Sequence, residues 1–344
     1  MNTSQLWAST AMVLVLSACA SLPVTDTELS NAVDVNSQWQ AMADQAGPVL
    51  DGWLDELQMT ALSDFVAEVL EHNPNYNEVA LRMQAAGYNA DASAGRRLPS
   101  LSGNVRGTRT GVETPVQNTS NSFSLGLDAS WEIDVWGRLS ANTANARSNY
   151  EVAQYDFYGA RLSLAAQVTQ AWFDIIEAKQ QYELSASTVI NYERATQIIR
   201  NRFERGLSSG LDLRLSITSL EAAKATEAQR EALYHQAIRK LELFAGRYPA
   251  AQIEISGEIP DDLVEIPVGV PLDIIERRPD LQSAKARLFA SGYRAQAAEK
   301  ALLPSISITS RGNNTSEEFG ELLKFDNVFW NDTAWFSDIG VWFL

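Results

Sequence analysis

The stretch GYNADASAGRRLPSLS that begins at Gly87 returns as GYRAQAAEKALLPSIS at Gly292, 205 positions later and without a gap. At that offset Pro74 falls on Pro279, Arg82 on Arg287, and Leu98-Pro99-Ser100 on Leu303-Pro304-Ser305. Ala85, Ala90, Ala92 and Ser102 also meet identical residues. Two Ala-rich helices can look alike by composition, but shared alanine does not explain coincident Pro, Gly-Tyr and Leu-Pro-Ser. An ungapped match at one large offset marks a duplicated structural unit. Each copy opens at a proline suited to the first position of a helix, with Asn73 as the N-cap of copy one. Each helix ends before Leu-Pro-Ser, because the residue preceding proline is pushed toward extended geometry. Both copies then turn polar, β-branched and alternating. A helix handing over to strands, twice, is the organisational unit.

The first of these strand regions decides the environment. In SFSLGLDASWEIDVW, Phe123, Leu125, Leu127, Ala129, Trp131, Ile133 and Val135 share one face, and Ser124, Gly126, Asp128, Ser130, Glu132 and Asp134 share the other. Strict alternation is a strand signal. Strands of water-soluble proteins run about 5–6 residues, whereas a strand crossing a bilayer needs about 9–11. An apolar face ending in aromatics, backed by acids, suits a lipid-facing exterior and a wet lumen. A long edge strand of a soluble sandwich is the competing reading, and it leaves Asp128, Glu132 and Asp134 on an inner face. PSLSGNVRGTRTG supplies the partner strand, with Leu101, Gly103 and Val105 opposite Ser102, Asn104 and Arg106, and VETPVQNTSN reads as an exposed loop. Copy two offers PSISITSRGN and DTAWFSDIGVWFL, the latter with Trp335, Ile339, Val341 and Phe343 on one side. Four strands do not close a membrane barrel, for which eight is about the minimum, and open edges are not tolerated in hydrocarbon. Several chains must share one barrel, and three would give twelve strands under cyclic symmetry.

From Gly137 to about Phe203 there is no proline and one internal glycine, Gly159. Ala153, Phe157, Ala160, Leu164, Ala171, Ile175, Ala178, Tyr182 and Val189 recur near a coiled-coil period. ERGLSSGLDL interrupts the helix, with Gly206 and Gly210 suited to a tight turn and Asp212 placed to cap a second helix from about Leu213 to Ala245. The reading is a long helical hairpin with a compact tip; a soluble coiled-coil dimerisation arm is the alternative.

The charge balance, 43 acidic against 27 basic residues for a net −16, argues against nucleic acid as a partner. The single cysteine, Cys19, closes the apolar and small-residue run AMVLVLSACASLP. That is the end of a secretory signal. Leu16-Ser17-Ala18-Cys19 resembles the bacterial lipobox, which implies cleavage before Cys19 and lipid on its new amino terminus. MNTSQLW departs from the pattern by lacking Lys or Arg before the apolar run, and an ordinary signal peptide containing Cys is the other reading. With no Asp at position 20, the resemblance to lipoprotein sorting implies the outer membrane.

SWEIDVWGRLSANTANA, NRFERGLSSGLDL and RRPDLQSAKARLFASGYRAQAAEKALLPSISITS, together with the Cys19 lipobox, resemble the TolC-like outer-membrane efflux proteins, in particular the lipoprotein branch serving drug-efflux pumps. The resemblance implies a mainly α protein with a membrane β part: a homotrimer whose twelve-stranded outer-membrane β-barrel continues into a periplasmic α-helical barrel. It implies a passive exit duct whose helical tip docks onto a periplasmic adaptor coupled to an inner-membrane transporter. Gly206, Leu207 and Ser208 match the family's tip motif; Arg205 does not. After the fourth strand the chain reaches Leu344 without a second long hairpin, so the second repeat is expected to be incomplete and the family's acidic gate residues absent.

The expected organisation is a signal peptide over 1–18, a lipidated extended segment over 19–57 and the helices of repeat one over 58–97. β-hairpin one follows over 98–136, the long helical hairpin over 137–246 and an irregular link over 247–270. The helices of repeat two take 271–303 and β-hairpin two 304–344. No enzymatic constellation is expected, since His72 and His235 stand apart without neighbouring ligand pairs, and no cofactor beyond the lipid on Cys19. Asp128, Glu132 and Asp134 are candidate lumen acids giving a cation preference, or simply solvated. Phe123, Leu125, Leu127, Trp131, Ile133 and Val135 are candidate lipid contacts. Drug efflux is the leading function, with protein secretion, metal-cation efflux or a lipid-anchored periplasmic coiled-coil adaptor as alternatives.

Overall fold

A computed structural model describes residues 52–54, 57–112, 118–255, 257–260, 277–322 and 334–342. Cys19, Phe343, the signal region, most of the 19–57 segment and the link after Pro260 lie outside the described residues. The elements in chain order are α1 (Thr60–His72), α2 (Pro74–Gly95), β1 (Ser100–Val112), β2 (Asn118–Ile133), α3 (Arg138–Glu204), α4 (Gly210–Phe244), α5 (Pro279–Lys300), β3 (Ser305–Ser316), α6 (Phe319–Leu322) and β4 (Ala334–Trp342). They divide into two compact units. One holds residues 83–154 and 281 onward, and the other residues up to 82 and 155–280.

The duplication is visible as paired elements. α2 begins at Pro74 and α5 at Pro279. Asn73 is the N-cap of α2: its Oδ1 accepts the backbone N–H of Tyr76 at 2.9 Å. In the first unit α3 lies against both repeats. The Thr143 hydroxyl donates to the Ser93 carbonyl at 3.2 Å, and the Asn145 amide to the Ala290 carbonyl at 2.6 Å. Small side chains make this approach possible: Ala90, Ala141, Ala286, Ala290 and Ala297 are all buried. Gly87 belongs to the same surface, since a Cβ there would stand 3.3 Å from the Tyr150 ring.

The four strands form one antiparallel sheet in the order β1-β2-β3-β4. The central seam is non-local, joining β2 to β3 with Phe123 opposite Ser316 and Ile133 opposite Ile306. β2 starts at Asn118, five residues before the alternating segment, and stops at Ile133. The added residues are polar and pair with the end of β1. The early stop has a local cause: Asp134, expected as the last lumen residue of the strand, turns to cap α3. It accepts the backbone N–H groups of Leu139 at 2.9 Å and Ser140 at 2.7 Å, and the Ser140 hydroxyl at 2.6 Å. Val135, expected on the lipid face of the strand, therefore lies beyond it.

In the second unit the core is built from α1, the middle of α3, α4 and the start of the link. Leu62, Val66 and Val69 meet Val168, Ala171, Trp172, Ile175, Ile176, Ile238 and Leu241, with Ile255 from the link. Each such fully buried aliphatic contributes about 1.5–3 kcal/mol. Ala171, Ile175 and Val189 of the expected stripe are buried, but Ala165, Val168, Trp172 and Ile176 were missed. α3 packs on α1, α4 and the link together, so its buried face is wider than a coiled-coil seam.

The start of the link, where it is described, is held by charge. Glu242, 2% exposed, accepts the N–H of Ala251 at 2.8 Å, of Gln252 at 2.7 Å and of Ile253 at 3.3 Å. α4 ends in a Schellman arrangement. Gly246, at φ +68°, and Arg247 donate to the carbonyls of Leu243 and Glu242. A Cβ on Gly246 would stand 3.0 Å from the His72 carbonyl, so a side chain is excluded there twice over.

Candidate functional site

Two regions carry the functional candidates: the sheet and the hairpin tip. Paired residues in an antiparallel sheet share a face, so the registers extend the two faces of β2 across all four strands. One face carries Leu101, Val105, Leu125, Leu127, Trp131, Ile133, Ile306 and Ile308, and the register sets Ile339 opposite Ile308 and Val341 opposite Ile306. Among the described residues this face is left largely exposed. Leu101 is 73% exposed, Val105 67% and Leu127 53%. From Phe123 to Ile133 the apolar rows run ten steps along β2. At about 3.3 Å per residue and a tilt of about 40° they would span roughly 25 Å, the height of the apolar band on membrane barrels.

Aromatics mark both ends of the band. Trp131 donates its indole N–H to the Arg97 carbonyl at 3.0 Å. Just past the strand, Trp136 donates to the Pro304 carbonyl at 2.7 Å, tying one Leu-Pro-Ser junction to the end of β2. At the other end Phe123 meets Phe319 edge-on, centroids 5.6 Å apart. Phe319 belongs to α6, a short helix in the β3–β4 connection that the sequence pattern did not announce.

The opposite face is polar: Ser102, Asn104, Arg106, Ser124, Gly126, Asp128, Ser130, Glu132, Ser307, Thr309, Arg311 and Asn313. Two acids of β2 on this face are paired with cations. Asp128 is ion-paired with Arg311 across the β2–β3 seam and accepts the Asn104 amide at 2.8 Å. Glu132 pairs with Arg138 at 2.6 Å. Asp134, outside the strand, is partly buried, which opposes ionisation. The Ser140 hydroxyl, the Leu139 and Ser140 N–H groups and the Arg97 charge outweigh that and hold its carboxyl below the usual range.

At the tip, α3 ends in the same motif as α4. Gly206, at φ +73°, donates to the Phe203 carbonyl at 2.8 Å and Leu207 to the Arg202 carbonyl at 2.8 Å. Gly206 is the turn glycine, as expected; Gly210 instead opens α4. Asp212 is not the N-cap either. Ser209 is, accepting the Asp212 N–H at 3.1 Å while Asp212 accepts the Ser209 N–H at 3.0 Å. This reciprocal capping box adds the hydroxyls of Ser208 and Ser209 on the same carboxylate oxygen. The Ser209 hydroxyl, then its N–H, then the Ser208 hydroxyl lower the Asp212 pKa. The result is a rigid turn presenting Leu207, 69% exposed, beside Leu211, 66% exposed.

His72 closes α1, with Nδ1 2.9 Å from the Glu68 carbonyl, and His235 lies on α4. Among the described residues no cluster of His, Cys, Asp or Glu could hold a metal ion, and no helix is long and apolar enough to cross a membrane.

An apolar sheet face exposed among the described residues and followed in the chain by a helix of 67 residues defines a class: membrane-wall proteins that carry a long helical hairpin beside their strands. A family model described as outer membrane efflux protein matches residues 65–247. The chain belongs to the outer membrane efflux protein family, whose location is the outer membrane. The cation efflux system protein CusC of Escherichia coli K12 is 27% identical over 283 residues, covering 81% of this chain and 62% of that protein. Outer membrane protein OprJ of Pseudomonas aeruginosa is 27% identical over 331 residues, covering 93% and 68%. Among solved structures, the Campylobacter jejuni CmeC outer membrane channel superposes with a TM-score of 0.77 at 18% identity, covering 96% of this chain and 70% of that one. The outer-membrane channel OprN gives 0.75 at 21%, covering 90% and 71%. These superpositions establish the fold. The chain spans 61% of the length of the CusC protein of E. coli O6:H1.

Proposed function

We propose that the chain is a protomer of the outer-membrane channel of a tripartite efflux system, a passive exit duct for small toxic solutes. One observation carries the reading: a four-stranded sheet with one apolar and one polar face and, among the described residues, an exposed apolar face and two unpaired edge strands, followed in the chain by the long hairpin. Hydrocarbon does not tolerate open edges, so neighbouring copies must supply the missing hydrogen bonds. Three copies of four strands make a closed barrel of twelve. The polar face then lines the lumen, and Leu125, Leu127, Trp131 and Ile133 meet lipid.

Leu207 and Leu211 at the tip are a docking point for a periplasmic adaptor, which would link the duct to an inner-membrane transporter. Lipid on Cys19 would add a second hold on the outer membrane. Relatives that match carry both cation-efflux and drug-efflux names, so the fold accommodates either cargo. Restoring drug or metal-cation resistance in an efflux-deficient Gram-negative host tests the reading. Resistance should return with the unaltered chain and be lost with Leu207→Asp, while labelled palmitate should enter the chain but not Cys19→Ser. A water-soluble protein that fractionates with the periplasm after Cys19→Ser would instead favour a lipid-anchored adaptor.

A further inference from the structure

The polar face holds an ion pair at a telling height. Asp128 stands five residues from Phe123 and five from Ile133, the two ends of the apolar band. Arg311 is its direct cross-strand partner, and the two side chains are ion-paired. Asn104, from the third strand of the row, donates to the other Asp128 oxygen at 2.8 Å. Gly126 makes room for that clasp: a Cβ there would fall 2.8 Å from the Asn104 side chain. The pair borders an open cavity of about 390 Å³ with Ser130, Thr309 and Ser310, and the Arg311 side chain is 70% exposed. The guanidinium therefore faces open space on the polar side while its charge is balanced from below.

We infer that Asp128 and Arg311 form a charge-balanced ring at the membrane mid-plane of the lumen, and that this pairing keeps the duct from discriminating strongly by ionic charge. The inference rests on the exit-duct reading, in which three copies repeat the pair at one height. A ring of unpaired acids makes a pore select cations, and a ring of unpaired bases makes it select anions. Here each chain supplies one of each in contact, so their fields cancel within a few ångströms of the wall. Elsewhere on this face Glu132 is paired with Arg138, and the further cation Arg106 is balanced in number by Asp338, which the register sets opposite Thr309. A duct for chemically diverse solutes gains from a mid-plane that repels neither sign.

The test is the reversal potential of the full chain in planar bilayers under a KCl gradient. Arg311→Gln leaves Asp128 unpaired and should raise the cation-to-anion permeability ratio about threefold or more at 0.1 M salt. Asp128→Asn leaves Arg311 unpaired and should move the ratio as far the other way. The double variant, D128N with R311Q, should return to the unaltered value. All differences should collapse near 1 M salt, where the screening length is about 3 Å. Conducting single variants with an unchanged ratio, or shifts of one sign, would overturn the inference. Loss of the oligomer in the double variant would assign the pair to the β2–β3 seam and overturn it too. A total lack of conductance in the unaltered chain would count against the exit duct itself, and the ring would fall with it.

Discussion

Glu242→Gln should release the start of the link from α4. The Glu242 carboxylate is buried and receives three consecutive backbone N–H groups, two of them at 2.7 and 2.8 Å. Burial alone raises the pKa of such a group, but donation from Gln252, Ala251, Ile253 and Ala250 outweighs it and leaves the pKa below its ordinary value. The same carboxylate holds Ala251 at φ +57°, a left-handed conformation that costs a non-glycine residue about 1–2 kcal/mol. Hydrogen bonds to a charged group contribute about 1.5–3 kcal/mol each. Glutamine keeps one acceptor and turns an amide donor toward an N–H donor, so the net loss is about 2–3 kcal/mol. Since 1.4 kcal/mol is tenfold, the amides of 251–253 should exchange with solvent about 30- to 150-fold faster. Hydrogen-exchange mass spectrometry on peptides covering 247–255 reads this directly. The pH dependence follows from the direction of the shift. With the folded pKa below the unfolded one, protection is fully present above the unfolded value, ordinarily 4.5, and is lost as pH falls through the folded value. In Glu242→Gln that acid limb should vanish. Unchanged exchange at 251–253 in the variant would refute the argument.

At the tip, Ser209→Ala should cost about 1 kcal/mol through loss of the cap, read as faster exchange over 206–213. Gly206→Val should do at least as much, because φ +73° is closed to a β-branched residue. On the sheet, Leu127→Arg should cost about 2–4 kcal/mol on insertion, and Ser130→Arg, on the polar face, far less. The yield of folded oligomer in lipid vesicles separates the two.

Much of this arrangement is written locally in the chain. Asn73-Pro74 announces a helix start because Asn has the acceptor and Pro the fixed φ, and both act at their own positions. The alternation from Phe123 to Ile133 survives because one face must be apolar throughout. The departures have equally local causes. Asp134 continues the alternation in sequence, yet its carboxylate turns to accept two orphan N–H groups of the first turn of α3, and that ends the strand. Asp212 looked like a cap, but Ser209, three residues earlier, completes a capping box that SSGLD already spells. Asn118 to Ser122 carry no alternation; pairing with β1 makes them strand, and a polar extension past the apolar band needs no periodicity. What periodicity could not show is the breadth of the α3 core face. Trp172 and Ile176 are buried because α1 and the link arrive from distant parts of the chain.

The central claim is that the sheet is one share of a closed wall. The mass of the detergent-solubilised protein, by light scattering corrected for bound detergent, tests it most directly. The account predicts three chains per particle, and a stable single chain in detergent and in lipid would contradict it.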